Sequence, residues 1–160
     1  MGLRFADQKN EICFFVTTTF REWHQYGLVA GVYEAMADSL GFYSRKYEAR
    51  VAGYVFMPSH IHLLLFIDGD KLPRFMRDFK KYVSQKSSPD LGITEKNIWM
   101  PRYDRVAIRS DRVFRTKLDY IHSNPRRAGL VDIEEAWRWS SAADYVTDSR
   151  GEVLVWKDWT

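Results

Sequence analysis

The sequence has little that would indicate a secreted or membrane-bound protein. Cys13 is the only cysteine in 160 residues, which excludes an internal disulfide and a zinc site built from several cysteines. The longest unbroken apolar runs, such as residues 63–67, have five residues and are far too short to span a bilayer. The first residues lack an apolar secretory segment, and position 6 lacks the serine or threonine of a myristoylation signal. We therefore expect a cytoplasmic protein without a membrane partner.

The chain also has little net charge. Its 24 basic and 21 acidic residues give a formal charge of +3, which permits a nucleic-acid partner without requiring one. Apolar residues make up 46% of the chain and aromatic residues 16%, which is enough for a packed core. No linker or repeat divides the sequence. We predict one domain over residues 1–160, with residues 132–160 as a tryptophan-rich C-terminal extension that packs on it.

Hydrophobic periodicity predicts the element order β-α-β-β-α-β, followed by one more helix. The predicted strands cover residues 11–20, 46–57, 60–67 and part of 105–109, and the predicted helices cover 27–42, 71–87 and a segment from a Ser110 cap to about Asn124. This order is that of a ferredoxin-like α+β sandwich, in which an antiparallel sheet carries helices on one face.

Two histidines open the most apolar strand, in the stretch PSHIHLLLF at residues 58–66. Because strand side chains alternate, His60 and His62 point to the same face of the sheet and Ile61 points to the other. Such a pair is either two hydrogen-bonded histidines at a strand end or part of a metal site, and the spacing alone leaves both open. Two imidazoles are an incomplete ligand set, so a metal would need a further ligand from elsewhere.

Positive charge is concentrated in two segments. On the second predicted helix, Arg74, Arg77 and Lys81 follow an i, i+3, i+7 spacing, which is either an ordinary solvated face or a phosphate-binding surface. Residues 102–117 interleave arginines with an aromatic residue, a pattern suited to single-stranded nucleic acid. The residues that we predict to bind DNA are Arg74, Arg77, Lys80, Lys81, Arg102, Arg105, Arg109 and Arg112.

The late helix carries a tyrosine outside its apolar stripe. Phe114, Leu118 and Ile121 form that stripe. Tyr120 lies beside it, and Asn124, four residues later, falls on the same side as Tyr120. The two are either a half-buried ring and a helix terminator, or a phenol and an amide oxygen within reach of a metal held by the two histidines.

Together these segments resemble a known family. YVFMPSHIHLLL, followed later in the chain by YIHSNPRRAGLV, resembles the HUH single-tyrosine transposases of the insertion-sequence 200/605 type, and in particular their REP-associated tyrosine transposase branch. WMPRYDRVAIRS and WRWSSAADY are also similar to that branch, so the resemblance covers roughly residues 10–146. Ile61 provides the hydrophobic residue that the motif has between its two histidines.

The resemblance implies a DNA transposase with Tyr120 as its nucleophile. It implies that His60, His62 and Asn124 hold Mg²⁺ or Mn²⁺, with asparagine where other members often have glutamine. The enzyme would bind a REP-like hairpin and cleave and rejoin single-stranded DNA through a 5′-phosphotyrosine intermediate, without a small-molecule cofactor. Both a monomer and a homodimer remain open.

Two other functions are compatible with the sequence. A protein derived from a transposase would bind hairpin DNA or RNA without cutting it, and would need neither metal nor Tyr120. A metal-dependent hydrolase built on the histidine pair would release its product without a covalent intermediate. The presence of Tyr120 and Asn124 favours the transposase over both, through the resemblance. The sequence does not identify the hairpin that would be bound.

Overall fold

A four-stranded antiparallel sheet forms the centre of the computed structural model, which describes residues 6–93, 97–147 and 149–159. The strands are β1 (Cys13–Thr19), β2 (Arg50–Phe56), β3 (His60–Phe66) and β4 (Asp104–Ala107). The helices are α1 (Val32–Lys46), α2 (Leu72–Leu91), α3 (Asp111–Arg127) and the short α4 (Ala142–Val146). The spatial strand order is β2-β3-β1-β4, so the predicted ferredoxin-like α+β fold is confirmed.

The two faces of the sheet carry different helices. The helices α1 and α2 pack together over one face, and the predicted apolar stripe of α2 is fully buried there. The residues of that stripe are Leu72, Phe75, Met76, Phe79 and Val83. The opposite face is covered by α3, whose Phe114, Leu118 and Ile121 join a second apolar cluster. No helix in the described part of the chain is long and apolar enough to cross a membrane.

The first two helices differ in extent from the sequence prediction. Helix α1 begins after Gly31, which has a left-handed φ of 91°, and it continues through Gly41 to Lys46. The prediction that α1 ends near Gly41 is therefore wrong, because tertiary packing outweighs the modest helix-weakening effect of one glycine. Helix α2 continues to Leu91 and ends at Gly92, which has a φ of 64° and accounts for the stop.

Helix α3 begins as predicted and ends later than predicted. The Ser110 hydroxyl accepts a hydrogen bond from the backbone N–H of Val113 at 3.2 Å and caps the helix. The helix then passes through Pro125 and ends at Arg127. A proline this close to the C-terminal end removes one backbone hydrogen bond and leaves the last turn intact, so it does not end the helix at Asn124.

A glycine in β2 sets how closely α3 approaches the sheet. A Cβ atom on Gly53 would lie 2.7 Å from Cδ1 of Leu118, well inside van der Waals contact. The absence of that atom lets the apolar side of α3 rest directly on β2, next to β3. Leu118 of α3 therefore packs directly against the backbone of β2 at this position.

The C-terminal segment follows the outer side of β2. The backbone N–H of Phe56 donates to the carbonyl of Trp139 at 2.8 Å, and the N–H of Trp156 donates to the carbonyl of Val51 at 2.8 Å. Between them, the Tyr145 hydroxyl donates to the carbonyl of Ala52 at 2.6 Å. The predicted extension therefore packs against the sheet over its described residues.

Candidate active site

The two histidines lie at the start of β3, on the face of the sheet that α3 covers. The ring centroids of His60 and His62 are 4.9 Å apart, with the rings nearly perpendicular. The opposite side chain, Ile61, is buried in the core beneath α1 and α2. The alternation predicted from the sequence therefore brings both imidazoles to one place.

Hydrogen bonds orient both imidazoles. His62 lies opposite Thr17 in the register of β1 and β3, and its Nδ1 is 2.8 Å from the Thr17 hydroxyl. Nδ1 of His60 is 3.1 Å from the Ser59 hydroxyl. These contacts leave the Nε2 atom of each ring for another partner, and Nε2 of His62 is buried without a hydrogen-bond partner among the described residues. A buried polar nitrogen of this kind is a candidate ligand atom.

Tyr120 contacts the histidine pair from α3. Its ring centroid is 5.3 Å from that of His62, with an interplanar angle of 72°. Phe15 of β1 completes the cluster, because it stacks on His62 at 5.3 Å and meets Tyr120 edge-on at 6.1 Å. The Tyr120 side chain remains 40% exposed, so a substrate can approach it.

Asn124 lies one helical turn beyond Tyr120 and is only 9% exposed. The described residues contain no group of three or more histidine, cysteine, aspartate or glutamate side chains that would hold a metal ion. The ligand set that the resemblance implies is two imidazole nitrogens, whose rings contact each other, and one neutral amide oxygen. It fits an ion such as Mn²⁺ or Mg²⁺ that completes its shell with water and phosphate oxygens.

Two cationic side chains of α3 flank the tyrosine. Nζ of Lys117 lies 4.7 Å from the centroid of the Phe15 ring, and Cζ of Arg127 lies 4.5 Å from that of Tyr120. Burial, with the neighbouring His60, Lys117 and Arg127 as further causes, lowers the pKa of His62 to about 3. Burial also lowers the pKa of His60. Both imidazoles are therefore neutral at pH 7 and keep a lone pair for a ligand.

Five of the predicted DNA-binding residues lie on or beside α2. Arg74, Arg77, Lys81 and Arg102 are exposed, and Lys80 is partly buried. Arg77, Lys80 and Lys81 line a cleft of about 390 Å³ between α2 and the segment before β4, together with Asn97 and Tyr103. Nζ of Lys80 donates to the carbonyl of Met100 at 3.1 Å and lies 5.8 Å from the Tyr103 ring. We call these five basic residues the α2 basic surface.

The other three predicted DNA-binding residues do not join that surface. Arg105, which is predicted to bind DNA, is only 7% exposed and lies 5.8 Å from the Phe14 ring, so little of its side chain is accessible to a ligand. Arg109 and Arg112 are exposed but follow β4 at the opposite end of the sheet, where Arg109 pairs with Glu11 at 2.7 Å. The predicted cluster at 102–117 is therefore spread over separate parts of the molecule.

Several side chains that contact the site were not among the predicted site residues, and Arg127, Lys117 and Thr17 are three of them. Arg127 follows Tyr120 by seven residues, which is two helical turns, so the spacing alone could have placed it on the same face. Lys117 precedes Tyr120 by three residues, a spacing that also places the two side chains on the same face of a helix. Thr17 has no such signal, because its contact with His62 depends on the register of β1 and β3.

Sequence relatives exist among curated proteins, although no protein-family model matches the chain. Proteins described as REP-associated tyrosine transposases of Haemophilus influenzae and Escherichia coli are each 28% identical to it. The first match covers 64% of this chain and 62% of that relative, and the second covers 80% of this chain and 74% of that relative. The chain therefore spans less than two thirds of the length of the Haemophilus protein.

Solved structures share the fold. A REP-associated tyrosine transposase bound to a REP hairpin matches with a TM-score of 0.71 and 24% identity, covering 92% of this chain and 87% of that one. A Deinococcus radiodurans protein described as a transposase matches with a TM-score of 0.53 and 21% identity, covering 69% of this chain and 88% of that one. The resemblance to REP-associated tyrosine transposases that the motifs indicated is thus confirmed, by relatives in sequence and by a neighbour in fold.

Proposed function

We propose that this protein is a DNA transposase that binds a hairpin and cleaves and rejoins the single strand beside it through a covalent bond to Tyr120. The observation that carries the proposal is the contact between Tyr120 and His62, whose ring centroids are 5.3 Å apart. Tyr120, the proposed nucleophile, and the two histidines proposed to bind metal come from separate elements and meet at one partly exposed position. The sequence relatives, which are named as transposases, support the same activity.

The reaction assigned to Tyr120 is a phosphoryl transfer. Its phenolic oxygen forms a bond to the phosphorus while the bond from phosphorus to the 3′-oxygen breaks. The phenolic proton passes to solvent, and the departing 3′-oxygen takes up a proton. The products are a 5′-phosphotyrosine and a free 3′-OH, so a second 3′-OH can attack the same phosphorus and reverse the step without ATP.

His60, His62 and Asn124 are the residues that would hold the divalent ion. Such an ion, when bound, neutralises charge that develops on the phosphate oxygens. The hydroxyls of Thr17 and Ser59 fix the ring orientation of the two histidines, through contacts of 2.8 and 3.1 Å to the Nδ1 atoms. These two hydroxyls therefore hold each Nε2 in place before any ion arrives.

Arg127 and Lys117 are suited to hold the phosphate that Tyr120 attacks. Nε of Arg127 donates to the Ser123 hydroxyl at 3.1 Å, and its Nη2 donates to the carbonyl of Tyr120 at 3.5 Å. These bonds hold the guanidinium against the Tyr120 ring while other N–H groups stay available to phosphate oxygens. Lys117 provides a second positive charge on the same side of α3.

The α2 basic surface is the part of the molecule that we assign to the hairpin. Among the described residues, the cleft is lined by the basic side chains of Arg77, Lys80 and Lys81 and by no acidic one. Phosphate contacts of this kind position a nucleic acid without reading its sequence. The structural neighbour named as bound to a REP hairpin makes a hairpin the leading choice of ligand.

A denaturing gel tests the proposal. Wild-type protein is incubated with single-stranded DNA that carries REP-like hairpins, with Mn²⁺ or with EDTA. We expect a covalent protein–DNA band that needs the metal, disappears in Tyr120→Phe and persists in Tyr82→Phe, a tyrosine on α2 away from the site. Hairpin binding by Tyr120→Phe should equal that of wild type.

Two results would contradict this function. Metal-independent hairpin binding with no covalent band for any substrate would indicate a binding protein. Released DNA products from Tyr120→Phe, again without a covalent band, would indicate a hydrolase.

A further inference from the structure

An exposed tryptophan lies beside the histidine pair. Trp23 follows β1 in the chain, and its side chain is 60% exposed. Its ring centroid lies 5.9 Å from that of His60, with an interplanar angle of 67°. The proposed reaction gives no role to this tryptophan.

The backbone that presents Trp23 is strained. Glu22 has a φ of 53° and Trp23 a φ of 57°, so two consecutive residues with side chains adopt the left-handed conformation. This conformation is uncommon for any residue other than glycine, asparagine or aspartate, and it is rarest for bulky residues. Strained residues persist where the surrounding structure holds them, and they concentrate at functional sites.

The surrounding structure does hold this loop. The backbone N–H of Phe20 donates to the carbonyl of Ser59 at 2.9 Å, and that of Gly27 donates to the carbonyl of Pro58 at 3.0 Å. Both acceptors belong to the turn that leads directly into His60. The loop and the histidine pair therefore form one hydrogen-bonded unit, and Trp23 is fixed relative to His60.

We propose that Trp23 is a stacking platform for an unpaired nucleobase that borders the phosphate attacked by Tyr120. The inference rests on the proposed function, because that function places single-stranded DNA across the histidines. A fixed aromatic ring binds the face of any base, so it holds a strand without selecting its sequence. Because Trp23 contacts His60, the stacked base belongs to a nucleotide next to the metal-binding position.

Binding measurements without cleavage test this site. The Tyr120→Phe protein is titrated in EDTA with a fluorescent hairpin that carries a single-stranded flank, and with the same hairpin lacking the flank. Adding Trp23→Ala should weaken binding of the flanked hairpin about tenfold and leave the bare hairpin unaffected. Trp23→Phe should retain most of the affinity. Phe42→Ala, which removes a ring that is 52% exposed on α1, is the matched control and should change neither affinity.

Abasic substrates identify the stacked base. Removing the base at one flank position should lower the affinity of the parent protein about tenfold. The same substrate should bind to the Trp23→Ala protein as tightly as the intact flanked hairpin does. Equal affinities of the parent and Trp23→Ala would overturn the proposal, and so would a Trp23-dependent loss that persists with every abasic substrate.

Fluorescence provides a second measurement that does not depend on Trp23→Ala folding. A stacked base should quench tryptophan emission in the parent protein and quench it less in Trp23→Phe, and equal quenching would also overturn the proposal. None of these measurements requires a covalent product. Failure of the stacking site is therefore distinguishable from failure of the transposase activity.

Discussion

The ring of Tyr120 on α3 meets the ring of His62 on β3 edge-on, with the ring centroids 5.3 Å apart. This contact joins the helix on one side of the molecule to a strand in the middle of the sheet. Three local features contribute to it. They are the alternation of side chains along β3, the close packing of α3 on β2 at Gly53, and the hydrogen bond between Thr17 and His62. Each of these features can be changed separately.

Removing the Thr17 hydroxyl should weaken metal binding. Thr17→Val keeps the side-chain shape but deletes the contact to Nδ1 of His62, so we expect about 10- to 100-fold lower Mn²⁺ affinity. The measurement is the Mn²⁺ concentration at half-maximal covalent adduct. Thr18→Val is the control, because Thr18 is the next residue of β1, is buried, and has a hydroxyl without a partner among the described residues. Equal Mn²⁺ dependence of the two variants would contradict the role of Thr17.

Removing the Arg127 guanidinium should slow the chemical step. Arg127→Ala should lower the single-turnover rate of adduct formation about 10- to 100-fold, because a charge-assisted phosphate contact is lost. Hairpin affinity should remain unchanged. Arg127→Lys should restore little, since lysine lacks the planar fork. Arg126→Ala is the control, because Arg126 pairs with Glu134 at the surface instead. A fall in hairpin affinity equal to the fall in rate would show a general binding role.

Relieving the strain at Glu22 should stabilise the fold and impair DNA binding. Glu22→Gly suits a φ of 53°, and we expect the free energy of unfolding to rise by up to about 1 kcal/mol. The freed loop should hold Trp23 less firmly and weaken binding of the flanked hairpin. Glu48→Gly is the matched control, because Glu48 has a φ of 56° in the turn before β2. Glu48→Gly should raise the free energy of unfolding, measured by urea denaturation, by a similar amount and leave DNA binding unchanged. An equal loss of DNA binding in both variants would argue against a specific role for the loop.

Removing the Ser141 hydroxyl should weaken the attachment of the C-terminal segment to the sheet and destabilise the fold. Its buried hydroxyl lies 2.8 Å from Nε2 of His122 and 3.0 Å from the backbone N–H of Tyr54. Ser141→Ala leaves both groups buried and unsatisfied, so we expect a loss of about 2–4 kcal/mol in urea denaturation. Ser140→Ala, which removes only the short local contact to the N–H of Ala142, should cost clearly less. Similar losses in the two variants would contradict this role.

The sequence could predict the features that depend on local periodicity. The alternation around Ile61 placed both histidines on one face, and the 3.6-residue repeat identified the buried stripe of α2. The spacing of four residues placed Asn124 on the side of Tyr120. These patterns are properties of a single strand or helix, so one sequence is enough to read them.

Features that depend on how elements meet could not be predicted. Alternation places Arg105 and Ala107 on the same side of β4, but it does not determine which face of the sheet that side belongs to. Arg105 pairs with Val16 of β1, and its side chain lies in the core beneath α1 and α2. The contact of Thr17 with His62 follows from the strand register. The left-handed backbone at Glu22 contradicts the local preference of that residue and occurs in a loop whose ends are held by tertiary hydrogen bonds.

The packing of α3 against β2 places Tyr120 and the histidine pair of one chain together. Because α3 packs on the sheet of its own chain, Tyr120 and the two histidines that it contacts belong to one polypeptide. Mixing His62→Ala protein with Tyr120→Phe protein should then give no recovered activity, since neither can lend the other its missing part. Adduct formation by one copy would then need no residue from a second copy.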